Sequence, residues 1–152
     1  MTMTLRAPCK KTPSPPLPFK TKFLSTLPMH TTQAIITLVS EILDLEPTEI
    51  QIKTYLIRDL HAESIDLLEI GIAIQHRLGI AVDDDQLFLK DMRMIISRAE
   101  KDGILPLDAL HVSYPHLSLE RLQDIVHDLV LGPVVQVQDL IAYAHYAQKV
   151  QP

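Results

Sequence analysis

Asp59-Leu60-His61-Ala62-Glu63-Ser64-Ile65-Asp66-Leu67-Leu68-Glu69-Ile70 is the stretch that decides the reading of this 152-residue chain. From Ile65 to Leu78 the apolar residues Leu67, Leu68, Ile70, Ile72, Ile74 and Leu78 recur at helical spacing. Asp66, Glu69, Gln75, His76 and Arg77 fill much of the remainder. The pattern predicts a helix over 64–78 with one buried face and one wet face. Ser64 then falls at its N-cap or in its first turn. Unpaired backbone N–H groups and the positive end of the helix dipole favour an oxygen acceptor or an attached phosphate there. Serine is also a preferred N-cap, so a purely structural role fits the same position.

Upstream, Ala34, Ile35, Leu38, Val39 and Ile42 give a buried stripe to a helix over 32–43, with Thr31 or Thr32 as its cap and Pro47 beyond its end. A loop over 46–63 follows, anchored by Ile50, Leu56 and Leu60. Gly79 stops the Ser64 helix, and Ile80 and Val82 turn inward before Asp83-Asp84-Asp85.

This order closely resembles the acyl carrier protein family: a helix ending at Asp44-Leu45, a long loop, then Asp59-Leu60, two residues, and acid-Ser-apolar-Asp. In that family an Asp-Ser-Leu motif carries 4'-phosphopantetheine on the serine. The likeness runs from about Thr31 to Asp85 and resumes at Val137-Gln138-Asp139-Leu140-Ile141-Ala142-Tyr143, which is similar to the family's last helix. The family's aspartate is Glu63 here and its leucine is Ile65. The loop glycine two places before that acid is His61, so the turn is made without a residue that enters positive φ freely. Further along the helix, Gln75, His76 and Arg77 stand where the family is usually acidic.

The resemblance implies an all-α, acyl-carrier-like helical bundle that is not itself an enzyme. Ser64 would be the point of phosphopantetheine attachment, and Glu63, Ile65, Asp66 and Glu69 would meet partners. Those partners would be a phosphopantetheinyl transferase and acyl-processing enzymes such as a ketosynthase, an acyltransferase or an acyl ligase. The cargo would be acyl intermediates held as thioesters in fatty acid, specialised lipid or polyketide biosynthesis, on a cytoplasmic monomer. A helical interaction module that kept the fold and lost the chemistry is the alternative.

Between Asp85 and Val137 the chain departs from the family. Residues 86–101 read as one helix, with Leu87, Met92, Ile95, Ile96 and Ala99 on a face and Gly103 past its end. Pro106 and Pro115 interrupt a connector. Ser118 begins a second helix with the stripe Leu119, Leu122, Ile125, Val126 and Leu129, closed by Gly132-Pro133. The expectation is a helical pair inserted over 86–131 into a core of helices 32–43, 64–78 and 137–147. It resembles specialised carriers with an extended region after the second helix, and two extra amphipathic helices could enlarge a chain-binding cavity.

Composition narrows the alternatives. Residues 1–30 hold five basic residues and no acidic one, against −5 for the whole chain, so the rest carries −10. An acidic surface argues against nucleic acid and for basic patches on protein partners. The leader, with Pro13, Pro15, Pro16, Pro18 and Pro28 among Ser, Thr and Lys, reads as disordered ahead of a domain over 31–152. No apolar run approaches the length of a membrane span. The single cysteine, Cys9, allows no disulfide within one chain.

Ser64 lacks a Gly-x-Ser-x-Gly elbow, and its acidic neighbours oppose oxyanion charge. Seven histidines show no close helical pairing for zinc, and Asp83-Asp84-Asp85 lacks the alternating ligands and glycine of a calcium loop. No metal site is therefore expected.

Overall fold

The computed structural model describes residues 28–151; of the leader expected to be disordered over 1–30, residues 1–27 lie outside the described residues, and 28–30 instead form the start of the first helix. Among the described residues seven α-helices account for the architecture: α1 (Pro28–Leu43), α2 (Ser64–Leu78), α3 (Asp84–Leu87), α4 (Met92–Asp102), α5 (Pro106–Ser113), α6 (Leu119–Asp128) and α7 (Val137–Val150). The fold is all-α, as the resemblance implies. Among the described residues the only β pairing is one isolated antiparallel bridge, between Tyr55 and Gln136.

Helix α1 packs against both α2 and α7. It begins before the expected cap: Thr31 lies inside the helix, is buried, and its hydroxyl donates to Gln148 Oε1 on α7 at 3.2 Å. Ile35, Leu38 and Val39 are buried, and Ile42 packs against the same core. They meet Ile70 and Ile74 of α2 and Val137, Leu140 and Ala144 of α7 in one hydrophobic cluster. Each such Leu or Ile removed from water contributes about 1.5–3 kcal/mol, and this burial rather than helix propensity holds the three helices together.

The expected single helix over 86–101 is two. Leu87, Phe88 and Leu89 are all buried. Consecutive residues on an α-helix are turned by about 100°, so one helix cannot send three in a row into the core. The chain leaves the helix instead. Leu89 takes φ +55, and the Lys90 N–H returns to Asp85 O at 3.0 Å. Asp83 caps α3, accepting from the N–H groups of Asp85 and Gln86. The acidic triplet thus serves as a helix start, and Asp83 N–H donates to the Tyr143 hydroxyl of α7 at 2.9 Å.

The inserted region holds three longer helices rather than a pair. The segment expected to be a connector contains α5, with Pro106 at its first turn. Proline is tolerated there because that N–H has no helical partner and its fixed φ suits the turn, so Pro106 marks a start and not a break. Ser118 caps α6 as expected, accepting from Arg121 N–H at 3.1 Å. Leu122 and Ile125 are buried, while Leu119, placed on the stripe by spacing, is half exposed. Helices α4, α5 and α6 pack in sequence against one another.

Candidate functional site

The loop before Ser64 is held from within and from across the fold. Leu56, wholly buried, and Ile50 anchor it as expected, and Leu60 packs at the edge of the core. Leu56 N–H donates to Val135 O at 3.0 Å, Val137 N–H to Thr54 O at 3.0 Å, and Gln138 N–H to Ile52 O at 2.7 Å. The approach to α7 therefore stitches the loop in place. Ala62 N–H closes back on Leu56 O at 2.9 Å just before the serine. Where a glycine would make the turn most easily, His61 adopts φ +57, the left-handed region that costs most residues energy and that His enters more often than most.

Ser64 is the first residue of α2 and is exposed; the N-cap is Glu63, in extended backbone conformation. The Glu63 N–H donates to Asp66 Oδ2 at 2.7 Å, the returning half of a capping box. The serine hydroxyl is thus not the cap of the helix. It stands in the first turn, with the backbone N–H groups of that turn beside it. Asp66 is half-buried and engaged in the cap, whereas Glu63 and Glu69 are exposed.

Helix α2 carries two apolar faces. Ile70 and Ile74 are buried and Leu67 and Leu78 partly so, but Leu68 and Ile72 are about half exposed, although helical spacing had put all six on the core side. Ile65, Leu68 and Ile72 form their own outward stripe, beginning beside Ser64. Periodicity alone does not separate a stripe that faces the core from one that faces solvent.

The inserted region reaches back to this loop. The Tyr55 hydroxyl donates to Asp128 Oδ2 at the end of α6. That bond raises the Tyr55 pKa, helped by burial, and lowers that of Asp128. Arg58 lies 3.8 Å over the Tyr55 ring and donates through Nε to Pro133 O at 2.6 Å. The bonds to Asp128 and Pro133 are not legible in the sequence, because their partners lie more than 70 residues apart.

One turn beyond Ser64, Leu67 forms part of the wall of an apolar cleft of about 390 Å³. Leu56 and Ile57 of the loop and Phe88, Leu89 and Met92 continue the wall, which Leu129, at the end of the inserted segment, closes with Gly132 and Pro133 just beyond it. Among the described residues no group of three or more His, Cys, Asp or Glu is placed to hold a metal ion, and no helix is long and apolar enough to cross a membrane.

A helical bundle that offers an exposed serine in the first turn of its second major helix is the architecture of a carrier domain. Residues 33–91 match the protein-family model described as "Phosphopantetheine attachment site", a match that supports the phosphopantetheine-binding acyl carrier protein family. Neither the curated proteins nor the solved structures yielded a match. The domain takes a covalently attached 4'-phosphopantetheine. The residues present fit that group, since a phosphate on Ser64 would meet the free N–H groups and positive dipole end of α2. Domains of this kind are not catalytic themselves, and work with a phosphopantetheinyl transferase and acyl-processing enzymes in general.

Proposed function

We propose that Ser64 is the attachment residue, and that the chain carries acyl intermediates as thioesters for fatty acid, specialised lipid or polyketide biosynthesis. The single observation behind this is the placement of Ser64, which is exposed, outside the cap, and inside the matched segment 33–91. A transferase would move the phosphopantetheinyl group from coenzyme A onto Ser64 Oγ. The new O–P bond replaces the bond to the nucleotide, which leaves, and the hydroxyl proton is lost to the transferase or solvent. The attached group then supplies a terminal thiol, on which acyl groups are held.

The chain's own contribution is presentation. The buttressed loop fixes where α2 starts, and the exposed Glu63, Ile65 and Glu69 around the serine form the surface a partner reads, with Asp66 bracing it from the first turn. Basic residues on the partners would be drawn to this acidic rim. The chain carries no catalysis in this reading.

The competing reading, an interaction module without chemistry, predicts a protein that stays unmodified in its own cell. Intact-mass spectrometry of protein purified from that source separates the two. A population bearing phosphopantetheine supports the carrier, and uniformly unmodified protein supports the module.

A further inference from the structure

The apolar cleft beside α2 has a charge pattern that sets it apart from the rest of the domain. Residues 31–152 carry −10, yet the only charged side chains lining the cleft are Lys90 and Arg93. Of the acids nearest them in sequence, Asp83 and Asp91 line a separate hollow with Gln86 and Tyr114, and Asp85, which lines that hollow too, is the partner of Lys90. Arg93 is held at the wall by one Nη donating to Leu129 O at 2.5 Å, which leaves its other donors available. Lys90 Nζ lies 3.5 Å from Asp85 Oδ1, in a pair of which both members are more than half exposed, and such a pair is easily exchanged for another anion. At about 390 Å³ the cleft is within the range of small-molecule pockets, roughly 300–1,000 Å³.

We propose that this cleft holds the far end of the thioester-bound chain, and that the chain it is built for ends in a carboxylate, gripped by Lys90 and Arg93. An apolar wall with a purely cationic charge set suits an apolar chain with an anionic end. A simple fatty acyl chain would offer the two cations no anionic partner. The inserted segment supplies Phe88, Met92 and Leu129 to this cleft along with both cations, which gives it a part in selecting cargo. The inference rests on Ser64 being the attachment residue, because Leu67 of the same helix brings the cleft within one turn of the serine.

The test loads the full chain, with a phosphopantetheinyl transferase, from octanoyl-coenzyme A and separately from octanedioyl-coenzyme A. It then follows thioester cleavage by hydroxylamine, each rate taken relative to the matching free coenzyme A thioester. The octanedioyl chain should be protected about fivefold better than the octanoyl chain, the scale of one surface ion pair. That advantage should vanish in Lys90→Gln/Arg93→Gln and shrink in high salt. Equal protection of both chains, an advantage that survives the double substitution, or an equal effect of the substitution on both chains overturns the inference, the last pointing to the arm's own phosphate as the anion. Failure of both thioesters to load strikes the attachment reading itself, and this inference with it, whereas loading of the octanoyl chain alone overturns only the inference. Both substituted side chains are exposed, and an unchanged melting temperature verifies that the fold is intact.

Discussion

Arg121 grips Asp139 through two parallel hydrogen bonds, Nε to Oδ1 and Nη2 to Oδ2, each 2.8 Å long and both buried. The pair joins α6 to the first turn of α7 and therefore bolts the inserted region onto the carrier core. Arg121 also donates to Val134 O at 2.9 Å, and Asp139 Oδ2 accepts from Gln136 N–H at 2.8 Å, so the lone pairs and donors around the pair are largely used. Burial works against the Arg121 charge, but the hydrogen bonds and charge of Asp139 outweigh it and hold its pKa above the usual value.

Removing one partner leaves an uncompensated charge in the interior. Arg121→Met should cost about 3–5 kcal/mol by urea or guanidinium unfolding, the scale for a broken buried pair. Arg121→Lys should recover only part of the loss, because a point charge cannot replace the planar fork. A loss below about 1 kcal/mol in the methionine variant would show that the inserted region is held by its apolar contacts alone.

His61 gives opposite signs for two small substitutions. At φ +57, His61→Gly should raise stability by about 0.5–1 kcal/mol, while the β-branched His61→Val should lower it by about 1–2 kcal/mol. Thermal melts of the two variants check this, and a glycine variant less stable than wild type would show that the imidazole itself is needed in the loop.

His116 predicts the acid sensitivity. Neither ring nitrogen has a hydrogen-bond partner among the described residues, and the ring sits among Tyr114, Tyr143 and Tyr146. Burial lowers its pKa from 6.5 to about 4, against the opposing pull of Asp139. Between those values the unfolded chain binds the proton and the folded one does not. Stability from keeping the ring neutral is therefore complete above pH 6.5 and lost as pH falls towards 4. His116→Phe should flatten the stability profile in that window, and an unchanged slope would assign the acid response to other groups.

Cap and recognition can be separated at two neighbouring acids. Asp66→Asn weakens the bond to Glu63 N–H and should cost about 0.5–2 kcal/mol of stability. Glu69→Lys, at an exposed position, should change stability by no more than about 0.5 kcal/mol yet slow the transferase reaction clearly. Equal transferase kinetics for Glu69→Lys and wild type would remove Glu69 from the partner surface.

Much of this arrangement can be read from the chain. The bounds of α2, the Ser118 cap and the buried anchors Leu56 and Ile50 follow from spacing and local chemistry. What escapes is of two kinds. Some features depend on which apolar face finds the core, as with Leu68 and Ile72, or with Leu87, Phe88 and Leu89 entering it together. Others are long-range polar pairs, Arg121 with Asp139 and Tyr55 with Asp128, which have no local signature. At the site itself the spacing leaves Ser64 at the N-cap or in the first turn, and the structure puts it in the first turn with Glu63 as the cap.

The central claim is tested most directly by Ser64→Ala beside wild type, each incubated with coenzyme A and a phosphopantetheinyl transferase and weighed intact. Because Glu63 caps the helix, the substitution should alter stability by no more than about 0.5 kcal/mol, and circular dichroism should verify an unchanged fold. Wild type should gain the mass of one phosphopantetheinyl group, located on Ser64 by peptide fragmentation, and the variant should gain none. Folded wild type that gains no mass, or a variant that gains as much as wild type, would contradict the account.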